Sequence, residues 1–81
     1  MTRPARNEYD LARLELNARA YRPNALLDRV ADLMDAGDVE AWKRLPVRLI
    51  GEASAHRDLR QAYRDAVAAG AIPDDRGPDA A

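Results

Sequence analysis

The chain has 81 residues, 13 basic and 14 acidic side chains, a formal net charge of −1 and no cysteine. That length allows one domain at most, and the charge balance argues against a dedicated polyanion binder, which carries a large basic excess. The absence of thiols excludes a disulfide scaffold and thiolate metal sites, while the lack of Phe leaves the core to Leu, Val, Ile, Met, Tyr and Trp42 among abundant Ala.

Met1–Arg6 reads as a flexible polar arm with no apolar stretch of the kind a signal peptide needs. Asn7 is a suitable N-cap for a first helix running from Glu8 to about Tyr21, which Pro23 ends because the residue before a proline avoids the helical region. This helix carries apolar residues on two faces. Leu11, Leu14, Ala18 and Tyr21 recur along one; Tyr9, Ala12, Leu16 and Ala20 recur along the other. A surface helix needs one apolar stripe, so the second must meet another helix or another chain. The bulkier Leu11 face is expected to point into the core. The flatter, Ala-lined face is open to coverage by the Trp42 segment or by a partner.

Asn24 can cap a second helix over Ala25–Ala36, with Leu26, Leu27, Val30, Ala31, Leu33 and Met34 on one broad face and Asp28, Asp32 and Asp35 opposite. Gly37 follows the last turn, where a left-handed cap favours glycine. Asp38 caps a short segment, Val39–Leu45, before Pro46, which in a helix interior would cost ~3 kcal/mol. The stripe Trp42, Leu45, Leu49, Ala53 nevertheless runs across it, so a kink or tight junction at Leu45–Pro46 is expected, followed by helix through Val47–Ser54, with Pro46 either kinking one helix or separating two. The pattern Leu59, Ala62, Tyr63, Ala66, Val67 marks the final stretch, rotated by about a quarter turn from the Trp42 stripe at ~100° per residue. Ser54-Ala55-His56 is a weak breaker, which favours one long helix up to Gly70, with Ile72 able to fold back on its last turn. Residues 73–81 offer nothing to bury and read as a disordered tail.

These elements predict an all-α fold, a compact bundle or irregular array of three to four short helices, with the arm at 1–6, the helical domain at 7–72 and the tail at 73–81. The expected core is Leu11, Leu14, Leu26, Leu27, Val30, Leu33, Met34, Trp42, Leu49, Tyr63 and Val67. No stretch approaches the roughly 20 apolar residues of a membrane span, and a cytoplasmic location is expected.

Catalytic chemistry is sparse. His56 is the only histidine, and Ser54, two residues away, cannot face it on a helix. A surface or helix-junction histidine is the expected reading, with a small His56-dependent enzyme the most remote one. Asp28, Asp32 and Asp35 lie opposite the apolar face and are expected to be solvated, unlike working paired carboxylates. Asp35, Asp38 and Glu40 lack the spacing of a calcium loop, and Gly37, Gly51, Gly70 and Gly77 form no phosphate-binding motif. No enzyme activity, cofactor, metal or small-molecule substrate is therefore expected.

Two contact surfaces remain. The first is Tyr9, Ala12, Leu16 and Ala20 flanked by Arg13. It suits a protein-interaction module, an adaptor, regulator or inhibitor of another macromolecule, acting as a homodimer; small host-directed phage proteins are one class of such chains. The second is Arg57, Arg60 and Arg64 with Arg44 and Arg48, a candidate phosphate-binding surface for a nucleic-acid regulator. A third arrangement pairs Asp28, Asp32 and Asp35 with Arg57, Arg60 and Arg64, within the fold or between chains.

Overall fold

A computed structural model describes residues 8–75. It contains α1 (Glu8–Ala20), α2 (Ala25–Asp35), α3 (Val39–Trp42) and α4 (Val47–Ala68), with no strand among the described residues. The all-α reading holds. The Met1–Arg6 arm, the Asn7 cap and residues 76–81 of the expected tail lie outside the described residues.

Local chemistry sets the helix ends. The Asn24 side chain accepts the Leu27 amide at 2.9 Å, while Asp28 reaches back to accept the Asn24 amide at 3.0 Å. Two amides that the first turn leaves unpaired are thereby satisfied. At the other end of α2, Gly37 adopts φ +74°. Its amide meets the Met34 carbonyl at 3.1 Å and the Asp38 amide meets Leu33 at 3.0 Å, the paired closing bonds of a Schellman cap. Gly70, at φ +76°, ends α4 in the same way, with its amide on the Val67 carbonyl and the Ala71 amide on Ala66. Asp38 caps α3 through the Ala41 amide at 3.3 Å. Pro46 has left the helical region, with ψ 139°, and its carbonyl receives the Ile50 amide. The proline therefore separates α3 from α4, and α4 continues through Ser54–His56 without a break.

α4 is the central element. It packs against α1 and α2, and α3 packs against α2. Ala18, Ala53 and Ala66 are wholly buried. Side chains this small let the axes approach but each removes little apolar area from water. Tyr21 is the one large side chain with no exposure among the described residues. It stands 5.2 Å from the Tyr63 ring and 5.3 Å from the His56 ring, both tilted. Ala18, Tyr21, Tyr63, Ala66 and Ile72 form the main apolar cluster, with Leu14, Leu59 and Val67 packed against it. Ile72 does fold back onto the last turn. Asp74, assigned by its sequence to the tail, accepts the Tyr63 hydroxyl at 2.7 Å and ties the chain down just beyond Ile72.

The core differs from the expected set at two leucines. Leu11 and Leu26 are about half exposed. Each lies at the rim of its helix's apolar face. α1 turns Ala18 inward, with Tyr21 buried just beyond its end, and α2 turns Val30 and Ala31 inward, which leaves the rim position facing water. Leu14, Leu27, Leu33, Met34, Trp42, Leu49 and Val67 are half-buried, and Val30 and Tyr63 are buried. No helix is long and apolar enough to cross a membrane among the described residues.

Candidate functional site

α1 places its two apolar faces in opposite environments. Leu14, Ala18 and Tyr21 are taken up against α4. Among the described residues nothing covers the other face: Tyr9 is 68% and Leu16 70% exposed, and Ala12 and Ala20 are exposed as well. The Trp42 segment does not reach it, because α3 lies on α2. Tyr9, Ala12, Arg13, Leu16 and Asn17 line a shallow, open groove along the helix. Arg13 leans toward Tyr9, with its Nη1 at 3.4 Å from the hydroxyl, a weak bond at that length. Charge is graded along the helix, with Glu8 and Asp10 in the first turn and Arg19 in the last, the order that favours the helix dipole.

The five arginines of the second candidate surface do not form one patch. Arg60 is only 2% exposed. Its guanidinium lies 2.9 Å from Asp32, 3.1 Å from Asp35 and 3.5 Å from Asp28. Arg57 also pairs with Asp35. Arg48 is 91% exposed and stands 3.7 Å from Glu52, and Arg44 and Arg64 are exposed. The complementary acidic and basic stripes therefore meet within the fold, across the α2–α4 contact.

This contact corrects two expectations. Asp28 is not solvated, its side chain being 17% exposed, and His56 is buried. The His56 Nε2 and the Asp28 Oδ1 are 2.6 Å apart, and the ionised carboxylate can only accept, so the ring nitrogen donates. The Tyr21 hydroxyl donates to the same oxygen at 3.3 Å. Burial acts to raise the Asp28 pKa. The hydrogen bonds from His56 and the Asn24 amide, with the positive charge of His56 and Arg60, outweigh it and hold the carboxyl below its ordinary range. Tyr21 moves the other way. Burial raises its pKa first, and the adjacent Asp28 charge adds to it against the opposing pull of Arg60 and Arg64.

The signal for this burial is in the spacing of α4. Leu49, Ala53, His56, Arg60, Tyr63 and Val67 follow one another at intervals of four and three residues. His56 and Arg60 thus occupy the middle of a continuous core-facing seam. They are the two polar members that join the Trp42–Ala53 stripe to the Leu59–Val67 stripe. On α2, Asp28 lies about 60° around the helix from Ala31, at the edge of the packed face.

Chemically, the Asp28–His56–Arg60 cluster is a clamp. Its hydrogen bonds join Asp28 to His56 and Arg60 of α4, to Tyr21 and to the Asn24 amide, so that α2, its leading loop and α4 are held together. Among the described residues no group of three His, Asp or Glu side chains is placed to hold a metal ion. No family model, curated protein or solved structure matches the chain.

Proposed function

We propose that this chain is a non-enzymatic protein-interaction module, that its uncovered α1 face binds a second copy of itself, and that the homodimer serves as an adaptor, regulator or inhibitor of another macromolecule. One observation carries the reading: Tyr9 and Leu16 are 68% and 70% exposed on a helix whose opposite face is packed. Nothing in the packing of α1 on α4 requires large apolar side chains there. Burying a side chain of that size contributes about 1.5–3 kcal/mol. Two copies bring four such side chains, a gain comparable with the ~4–15 kcal/mol cost of association. Since a millimolar dimer needs about 4 kcal/mol of net gain, that balance places the self-association at the weak, reversible end of the range.

The buried clamp supports the non-enzymatic part. The His56 Nε2 and the Asp28 carboxylate are committed to the contact between α2 and α4, and the buried His56 ring packs beside Tyr21. The nucleic-acid alternative is weaker, since Arg57 and Arg60 are engaged by the α2 carboxylates. Light scattering on wild type and Leu16→Glu tests the proposal. The wild type should gain mass with concentration and the variant should remain monomeric. A wild type that stays monomeric at millimolar concentration removes the homodimer. Tight, salt-sensitive retardation of a nucleic-acid probe would reinstate the alternative.

A further inference from the structure

We infer that two copies pair α1 against α1 in antiparallel order about a two-fold axis, with Tyr9 over Ala20 and Leu16 over Ala12 of the second copy. This inference rests on the homodimer reading above and adds its geometry. Side-chain size favours it. Along the uncovered face the side chains run large, small, large, small: Tyr9, Ala12, Leu16, Ala20. An antiparallel pair centred near Leu14 sets each large side chain over an alanine of the opposite helix, and it does so in both directions at once. A parallel two-fold pair sets Tyr9 on Tyr9 and Ala12 on Ala12, which crowds one level and leaves a void at the next. Interfaces pack as densely as protein interiors, so the interdigitated order is favoured.

The charges at the two ends of α1 favour the same order, with Arg13 on the other flank lying across the axis from Arg13 of the second copy. The acidic first turn, Glu8 and Asp10, and the basic last turn, Arg19, lie at opposite ends of α1. Antiparallel pairing brings each acidic end beside the basic end of the other copy. Glu8, Glu15 and Arg19 share one flank of the uncovered face, and across an antiparallel two-fold like flanks meet. Glu8 then falls beside Arg19 of the second copy. Glu15, nearest the axis on this flank, is already paired with Arg19 of its own chain at 2.8 Å. A parallel pair would set acidic turn beside acidic turn. Such rim charges fix register and partner choice more than affinity.

The test uses Glu8→Arg and Arg19→Glu, alone and mixed, in sedimentation velocity, with circular dichroism to confirm that each variant is helical. Glu8→Arg alone brings two arginines together at each end of the pair, and Arg19→Glu alone brings two glutamates together there. Each should self-associate at least about tenfold more weakly than wild type. In the equimolar mixture both contacts are attractive, and dimer should reappear at wild-type strength or better. A second measurement does not depend on these charges. The chain has no cysteine, so Tyr9→Cys and Ala20→Cys proteins mixed under oxidation should form the 9–20 cross-link in preference to 9–9 or 20–20. A mixture no tighter than its parts, together with dominant 9–9 cross-linking, overturns the antiparallel order and leaves the homodimer standing. A wild type that never dimerises overturns both.

Discussion

Replacing Arg60 with Ala removes a cation shared by three carboxylates. The guanidinium is 2% exposed and contacts Asp28, Asp32 and Asp35 from 2.9 to 3.5 Å, with the Asp28 carbonyl at 3.4 Å. Removing one partner of a fully buried ion pair typically costs ~3–5 kcal/mol, because the other charge is left stranded. Here the stranding is partial. Asp32 and Asp35 are well exposed and can rehydrate, and Asp28 keeps His56, Tyr21 and the Asn24 amide. The expected loss is therefore about 2–3 kcal/mol, much of it from the space and the α2 charges left beside α4. For a domain of this size that lowers the midpoint of thermal unfolding by roughly 10–20 °C. Urea and thermal unfolding followed by circular dichroism measure it, with Arg57→Ala as the control. Arg57 shares Asp35 but is itself well exposed, so its removal should cost under ~1 kcal/mol. An Arg60→Ala protein that loses no more stability than Arg57→Ala would refute a buried cation shared by the three carboxylates.

Asp28→Asn tests the clamp through pH. The folded carboxyl titrates below its ordinary value of 3.8. The unfolded state therefore binds the proton first, and the carboxylate's contribution is full above that value and lost as pH falls through the lower folded one. Acid titration of unfolding should show a steeper loss for wild type than for Asp28→Asn in that window, and the variant should be the less stable at neutral pH. Glycine substitutions should differ in sign. A Cβ at Gly51 meets nothing within 4 Å in mid-helix, so Gly51→Ala should stabilise by about 0.5–1 kcal/mol. At Gly37, which has equal room but φ +74°, Gly37→Ala should destabilise by about 1 kcal/mol. Trp42 Nε1 is buried without a hydrogen-bond partner among the described residues. Trp42→Phe should therefore stay within about 1 kcal/mol of wild type in chemical unfolding, whereas Trp42→Ala should lose about 3 kcal/mol.

Punctuation is the legible part of the sequence. Asn24, Gly37, Asp38, Pro46 and Gly70 act through their own backbone or a neighbour a few residues away, so their roles can be read locally. The fold class follows from these stops and the helical spacing between them. The two faces of α1 are legible too, and so is the complementarity between the α2 aspartates and the α4 arginines. Which stripe of α2 becomes buried is not. Leu26 and Asp28 flank the same helix on opposite sides, and hydropathy favours burying Leu26. The structure instead turns α2 toward Asp28, because His56 and Arg60, 28 and 32 residues away, satisfy its carboxylate and carbonyl. That pairing is a long-range term, and no window on α2 contains it. The uncovered face of α1 presents the same difficulty in reverse. Its stripe calls for a neighbour, and only the packing of α3 on α2 removes the Trp42 segment as the candidate within the chain.

The central claim, that α1 presents a surface for a second copy, is tested most directly by amide chemical shifts recorded from millimolar to low-micromolar protein. Dilution should produce concentration-dependent shifts confined to Tyr9, Ala12, Arg13, Leu16 and Ala20 and their immediate neighbours, with Ala53, Tyr63 and Ala66 unmoved. Spectra unchanged across that range, or shifts centred on α2 and α4 instead, would contradict it.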